Sequence, residues 1–229
     1  MNSLSDRLDQ VRDRIARAAE RMGRSAQSVR LLAVTKGIPP ATIREAKALG
    51  LREFGESRIQ EAEGKLAEVG EGIRWHLVGH LQSNKVKRAV QIFDEIHSVD
   101  SASLAEDLAR RALAAGRSPS CYVEVNTSGE AEKFGVAPSA ALALLRRLGE
   151  LPPLRVAGLM TIGPLTSGAE GARAAFRALA NLREDAVRAG VLEEGAGLSM
   201  GMSDDFEIAI EEGATIVRIG TALLGAWPA

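Results

Sequence analysis

Lys36 ends the apolar run Leu31-Leu32-Ala33-Val34-Thr35 and is followed by Gly37 and the pair Pro39-Pro40. Such a run reads as a buried strand that Gly-Ile-Pro-Pro terminates. An amine at the end of a buried strand must stay in water, pair with an acid, or enter chemistry. For lysine that chemistry is Schiff-base formation with a carbonyl. Two later segments offer an anion site. Leu198-Ser199-Met200 leads into Gly201-Met202-Ser203-Asp204-Asp205, and the run 215–219 leads into Gly220-Thr221-Ala222. Each reads as a strand ending in small residues before a helix. Small residues let backbone amides approach a ligand, and a helix N-terminus favours negative charge. Ser203 is an N-cap candidate. Gly and Ser also occur wherever a strand merely turns into a helix, so each loop alone carries a bland reading. Arg218 sits inside the last run. Pointing outward it would snorkel beside the helices; pointing inward it needs an anion or a polar heterocycle, which its place at the strand end favours.

The elements that must position these residues alternate regularly. Residues 4–22 carry Leu4, Leu8, Val11, Ile15 and Ala19 at helical spacing, with Ser3 or Ser5 as cap. Apolar runs near 31–35, 52–54, 74–78, 95–98, 121–125, 155–159, 197–200 and 215–219 predict strands. Amphipathic stretches at 40–49, 56–68, 83–91, 101–115, 139–149, 169–190 and 203–212 predict helices, with a short segment 221–226 after the last strand. Eight strands alternating with helices predict an α/β fold, a closed (β/α)8 TIM barrel with an extra N-terminal helix; a doubly wound open sheet is the alternative. No linker divides residues 1–229, so one domain is expected. Pro152-Pro153 reads as a turn, and 163–168 as a strand-to-helix loop on the active face. In a barrel the two small-residue loops follow strands 7 and 8, a recurrent phosphate position. Lys36 at the same end could then meet the aldehyde of a phosphosugar or of pyridoxal phosphate, and a side chain facing the pyridine nitrogen belongs to the second kind of site.

Composition bounds the function. Net charge is −1, from 29 basic and 30 acidic residues, and no basic domain appears, which argues against an electrostatic grip on nucleic acid. Aromatic residues make up 3%, which disfavours stacking-based recognition. A single cysteine, Cys121, excludes an intramolecular disulfide and fits a reducing compartment; the start lacks a signal-peptide core and no run approaches a membrane span. A cytoplasmic protein is expected.

Several segments together carry a family resemblance: Ala33-Val34-Thr35-Lys36, Phe54-Gly55-Glu56-Ser57, Trp75 through Lys85, Gly158-Leu159-Met160, Leu198 through Glu207, and Val217 through Thr221. On these the sequence resembles the pyridoxal phosphate homeostasis proteins, the YggS/PROSC family, which look like the N-terminal barrel of alanine racemase standing alone. The resemblance implies a cytosolic, monomeric or weakly associating barrel that binds pyridoxal 5'-phosphate. It implies that Lys36 forms the Schiff base, that Ser199, Met200, Gly201 and Ser203 with Gly220 and Thr221 hold the phosphate, and that Arg218 faces the pyridine nitrogen. The family usually writes Phe-Gly-Glu-Asn; Ser57 replaces that Asn here, and its shorter arm reaches the cofactor through water or not at all.

The remaining candidates read as structure. His76 and His80 span a strand-to-loop boundary without a metalloprotease pattern, so a structural role is expected and no metal. Ser83 or Asn84 would cap the next helix, and Lys85, Lys87 and Arg88 form a solvated face or an anion-meeting surface. Asn126 through Glu130, with Lys133 following, form a polar loop bordering the cofactor; Lys133 is a surface lysine or a transient second amine. Cys121 is a core residue. Racemisation needs an acid and a base on opposite faces of the α-carbon. Lys36 serves one face; the only tyrosine, Tyr122, starts a strand far from it, and no second domain is expected after the eighth unit. The sequence therefore predicts a carrier that binds, protects and delivers pyridoxal phosphate to apo-enzymes rather than an enzyme. A weak amino-acid racemase and a cofactor-free phosphosugar aldolase are the alternatives.

Overall fold

The computed structural model describes residues 3–164 and 168–225. The apolar runs form eight parallel strands: β1 (Arg30–Val34), β2 (Glu53–Glu56), β3 (Arg74–Leu77), β4 (Glu95–Val99), β5 (Ser120–Glu124), β6 (Arg155–Met160), β7 (Gly197–Ser199) and β8 (Ile216–Ile219). They follow one another in sequence order, and β1 pairs with both β2 and β8, so the sheet closes into a barrel. An open doubly wound sheet is excluded. Nine α-helices are described: α1 (Leu4–Arg21), α2 (Pro40–Ala48), α3 (Ile59–Val69), α4 (Val86–Ile92), α5 (Ala102–Ala115), α6 (Pro138–Gly149), α7 (Gly168–Arg188), α8 (Phe206–Glu211) and the single turn α9 (Thr221–Leu224).

The strands are covered on both faces, and most of their residues are buried, apolar ones interrupted by a few buried polar side chains. The larger core lies between strands and helices; it includes Ile43, Phe54, Phe93, Leu108, Leu145 and Phe176, all fully buried. A smaller cluster of Leu32, Tyr122, Met160 and Ile216 fills the barrel itself. The rest of the interior is polar, with His76, His97, Ser199 and Arg218 buried among these residues.

Helix α1 has a capping box between Ser3 and Asp6, and its buried stripe is Leu4, Leu8, Val11, Ile15, Ala18 and Ala19. That stripe packs on α8 and α9. Arg14 pairs with Glu207 at 2.8 Å and lies 4.5 Å over the Phe206 ring, while Arg24 donates to the carbonyls of Ile210 and Ala214. The extra helix, with Arg24 just beyond it, therefore braces α8 and α9, the helices that follow β7 and β8.

Three boundaries differ from the sequence reading. Strand β2 continues to Glu56 and α3 begins at Ile59, because the charges of Glu53 and Glu56 find partners inside the fold. A 3-10 turn at Ser83–Lys85 precedes α4, and neither Ser83 nor Asn84 caps it. Helix α8 starts at Phe206, not at 203: Asp205 is its N-cap residue, and the Asp205 carboxylate accepts the Met202 N–H at 2.6 Å. Leu165 to Ser167 of the 163–168 loop, and Ala226 of the last segment, lie outside the described residues.

Candidate functional site

Lys36 lies two residues beyond β1, in a turn at the C-terminal mouth of the barrel, with its side chain exposed. Its backbone is gripped on both sides. The Thr35 hydroxyl donates to Glu56 at 2.6 Å, and the Lys65 ammonium donates to the Thr35 carbonyl at 2.6 Å. On the far side, the Gly37 N–H donates to Glu61. Lys65 closes the set, 2.6 Å from Glu56 and 2.7 Å from Glu61. Gly37 takes φ +66°, a left-handed turn that glycine adopts without strain. Lys65 and Glu56 are buried, and desolvation raises the Glu56 carboxyl against the pull of Lys65. Lys65, paired with buried Glu56 and partly exposed Glu61, thus ties together both flanks of the turn that presents Lys36.

Two adjoining cavities open at this mouth. One, of about 350 Å³, is lined by Lys36, Ser57, Arg58, His80 and Lys85 among others. The second, of about 330 Å³, is lined by Ser57, Ser203, Asp204, Arg218, Gly220 and Thr221 among others. Ser57 borders both, so the lysine and the small-residue loops are neighbours.

The second cavity suits an anion. Gly201 turns the chain at φ +92°, and a Cβ there would meet the Ala209 Cβ at 2.5 Å and the Phe206 Cα at 2.9 Å. Only glycine lets this loop lie so close against α8. The N–H groups of Ser203, Gly220 and Thr221 donate to no acceptor among the described residues, while the Ser203 hydroxyl accepts the Ala222 N–H at 3.2 Å. Free amides, the Thr221 hydroxyl and the Arg218 guanidinium together make a donor set for a phosphate-bearing heterocycle. This cradle, beside an accessible amine, fits pyridoxal phosphate.

Arg218 points inward and is nearly fully buried. Its Nη1 donates to the Ser199 carbonyl at 2.7 Å and to the Ser199 hydroxyl at 3.0 Å, and its Nη2 to the Thr161 carbonyl at 2.8 Å. Burial lowers its pKa to about 10, against the pull of Glu124 and Asp205. Its remaining donors border the cavity. Ser199 and Met200 are wholly buried; the Ser199 hydroxyl lies between His97 and Arg218, and the Met200 side chain packs in the core. Of the sequence-derived residues, Lys36, Ser57, Ser203, Arg218, Gly220 and Thr221 line the paired cavities, Gly201 shapes the loop, and Ser199 stands behind Arg218.

Other residues are visible only in three dimensions. His76, Glu95 and His97 meet in the interior, all buried. The His76 Nδ1 lies 3.0 Å from the His97 Nε2, and Glu95 stands 3.5 Å and 3.6 Å from these nitrogens. The nitrogen pair is a hydrogen bond, and Glu95 is held by Arg30 at 2.9 Å and Arg74 at 2.8 Å, so these groups already satisfy one another. Arg30, Glu53, Arg74 and Glu95 open four successive strands with alternating charge. That alternation was the one sequence signal for the cluster. Glu124, at the end of β5, is buried with one carboxylate oxygen lacking any partner among the described residues. Desolvation, with Asp100 adding to it, pushes its pKa up to about 7. Lys133 is not free: it donates to the Gly163 carbonyl at 2.7 Å and pairs with Glu130 at 2.5 Å. Tyr122 is buried against the His97 ring, 4.5 Å between centroids, and Cys121 is in the core with its thiol pushed up to about 12 by burial.

The alanine racemase N-terminal domain family matches residues 7–228. A pyridoxal phosphate homeostasis protein of Pseudomonas aeruginosa is 44% identical, covering 99% of this chain and 96% of the relative. One from Escherichia coli K12 is 38% identical over 99% of this chain and 97% of its own length. This chain belongs to the pyridoxal phosphate homeostasis protein family. Among solved structures, PipY of Synechococcus elongatus with PLP bound is 40% identical, with a TM-score of 0.85 over 97% of this chain and 100% of that one. An alanine racemase of Clostridium difficile, 16% identical with a TM-score of 0.76, covers 99% of this chain and 57% of that one and shares the fold. Family membership thus agrees with the closed eight-stranded barrel and the added N-terminal helix. Among the described residues no helix is long and apolar enough to cross a membrane.

Proposed function

We propose that this member of the family binds pyridoxal 5'-phosphate at the barrel mouth and serves in its homeostasis, holding the cofactor on Lys36 and passing it to apo-enzymes. The observation that carries this reading is the shared border at Ser57 between the cavity of Lys36 and the cavity of Arg218, Gly220 and Thr221. The cofactor supplies a reactive aldehyde and an electron-withdrawing ring. The chain supplies the rest. Lys36 offers the amine; the Ser203 amide, in the loop turned by Gly201, and the Gly220 and Thr221 amides just after β8 receive the phosphate; Arg218 donates toward the ring nitrogen. Ser199 and Met200 act from behind this surface, and Ser57 lies between phosphate and amine. An arginine at that nitrogen keeps the ring a weak electron sink, which suits storage better than carbanion chemistry.

The same reading makes residues 1–229 one functional barrel, monomeric, cytoplasmic, and without nucleic-acid or membrane partners. The test is the visible absorbance of purified protein mixed with pyridoxal phosphate. A lysine-imine band lost in Lys36→Ala supports the reading, and a colourless mixture with no bound cofactor overturns it.

A further inference from the structure

Arg218 is the near end of a hydrogen-bond chain that crosses the barrel interior. Its Nη1 lies 3.0 Å from the Ser199 Oγ, which lies 2.9 Å from the His97 Nδ1. The His97 Nε2 lies 3.0 Å from the His76 Nδ1, and the His76 Nε2 lies 2.6 Å from Glu53 at the opposite end. With both imidazoles neutral, the accepting carboxylate at one end and the donating guanidinium at the other give every link one direction. Ionised Glu53, held near a pKa of 2 by His76 and Arg30 against its desolvation, only accepts. His76 therefore carries its proton on Nε2 and, when neutral, accepts at Nδ1. His97, which burial keeps neutral with a pKa of about 3, then carries its proton on Nε2 and accepts at Nδ1. The Ser199 hydroxyl spends its hydrogen on His97, and its oxygen faces Arg218 only as an acceptor. A guanidinium has no other role than donor, so the chain is satisfied end to end.

The reverse direction fails. If the histidine pair held an extra proton, His97 would donate to Ser199, and the serine hydrogen would be left with the donor Arg218 as its neighbour. The groups facing the pair pull in both directions: the Glu53 and Glu95 carboxylates favour an added proton but are each paired with Arg30, Glu95 also with Arg74, while burial, the Tyr122 ring against His97 and Arg218 beyond Ser199 disfavour it.

We propose that His97, backed by His76 and Glu53, is a positioning residue for the cofactor: acting through Ser199, it locks the Arg218 guanidinium in the orientation that presents its free donors to the ring nitrogen. This rests on the reading that Arg218 faces the cofactor. Its relation to the ring is set from the far side of the barrel, by residues that do not border the cavity.

The test has a cofactor-free and a cofactor-bound arm. In the apo protein, nitrogen NMR of labelled histidine should show His97 bare at Nδ1 and protonated at Nε2, with His76 protonated at Nε2. Rotation of the Arg218 Nη groups should be slow in the wild type and faster in His97→Leu and in Ser199→Ala. In the loaded protein, His97→Leu should shift the visible band and raise the cofactor off-rate on the order of tenfold, the equivalent of one buried hydrogen bond. Ser199→Ala should do the same, the double variant should do no more, and His97→Gln, which keeps a donor and an acceptor, should restore the wild-type values. If His97→Leu does not fold, Ser199→Ala and His97→Gln carry the comparison. The opposite histidine tautomers, or unchanged Arg218 rotation and an unchanged band in folded variants, would overturn the proposal. A protein that binds no cofactor yet shows the expected tautomers and rotation would sink the cofactor reading and leave the relay standing.

Discussion

The ammonium of Lys65 lies 2.6 Å from the carbonyl oxygen of Thr35, the residue before Lys36. Lys65 also bridges Glu56 and Glu61, so one buried cation ties together both flanks of the turn. Removing one member of a buried ion pair leaves the others uncompensated, at a cost of about 3–5 kcal/mol. Lys65→Met should lower the unfolding free energy by that order in denaturant melts. It should also slow imine formation on Lys36, because the turn loses its anchor. Normal stability and normal imine formation together would show that the triad does not shape the turn.

Lys36 itself is exposed and makes no hydrogen bond among the described residues. Lys36→Ala should change stability by no more than about 0.5 kcal/mol while abolishing the visible band of the cofactor-treated protein. A melt measured beside the spectrum separates loss of the amine from loss of the fold.

Gly201 offers a sharper steric test. Its φ of +92° and the 2.5 Å approach of a built Cβ to Ala209 leave no room for a side chain. Gly201→Ala should cost about 2 kcal/mol from backbone strain and overpacking. It should weaken binding of inorganic phosphate by displacing the loop from α8. Isothermal titration with phosphate reads the second effect directly.

Glu124 and His97 give opposite pH slopes. Glu124 ionises near 4.5 unfolded but near 7 in the fold, so its contribution is intact at low pH and is lost as pH rises between those values. His97 gains its proton near 6.5 unfolded but only near 3 in the fold, so its contribution is present above 6.5 and is lost as pH falls toward 3. The two oppose each other between about 4.5 and 6.5. Glu124→Gln should remove one of them: the variant should be more stable than wild type at pH 8, by on the order of 2 kcal/mol, and its stability should fall more steeply on acidification through the 4.5–6.5 window. Parallel curves for the two proteins would show that Glu124 titrates normally.

The sequence made the barrel legible because its strands are buried on both faces and so appear as short, largely apolar runs. Strand β2 was the weakest of them. Glu53 and Glu56 hid half of it, since a charge in a short run looks like a loop until its partner is known. Lys36, Gly220 and Thr221 were readable from position alone, as groups at the ends of strands that must share one rim. The helix at 203–212 was overextended because Ser203 looks like a cap, whereas its hydroxyl serves Ala222 across the mouth. His97, Lys65 and Glu61 could not be read at all. Their partners lie on other strands and helices, and a buried polar residue gains its meaning from contacts that no local pattern encodes.

The alternating charges of Arg30, Glu53, Arg74 and Glu95 form a stopper at the foot of the barrel. With that end plugged, the mouth is the doorway to Arg218. A molecule held there must leave by the way it came. In the carrier role proposed above, release of one cargo and capture of the next would therefore share one opening and take turns.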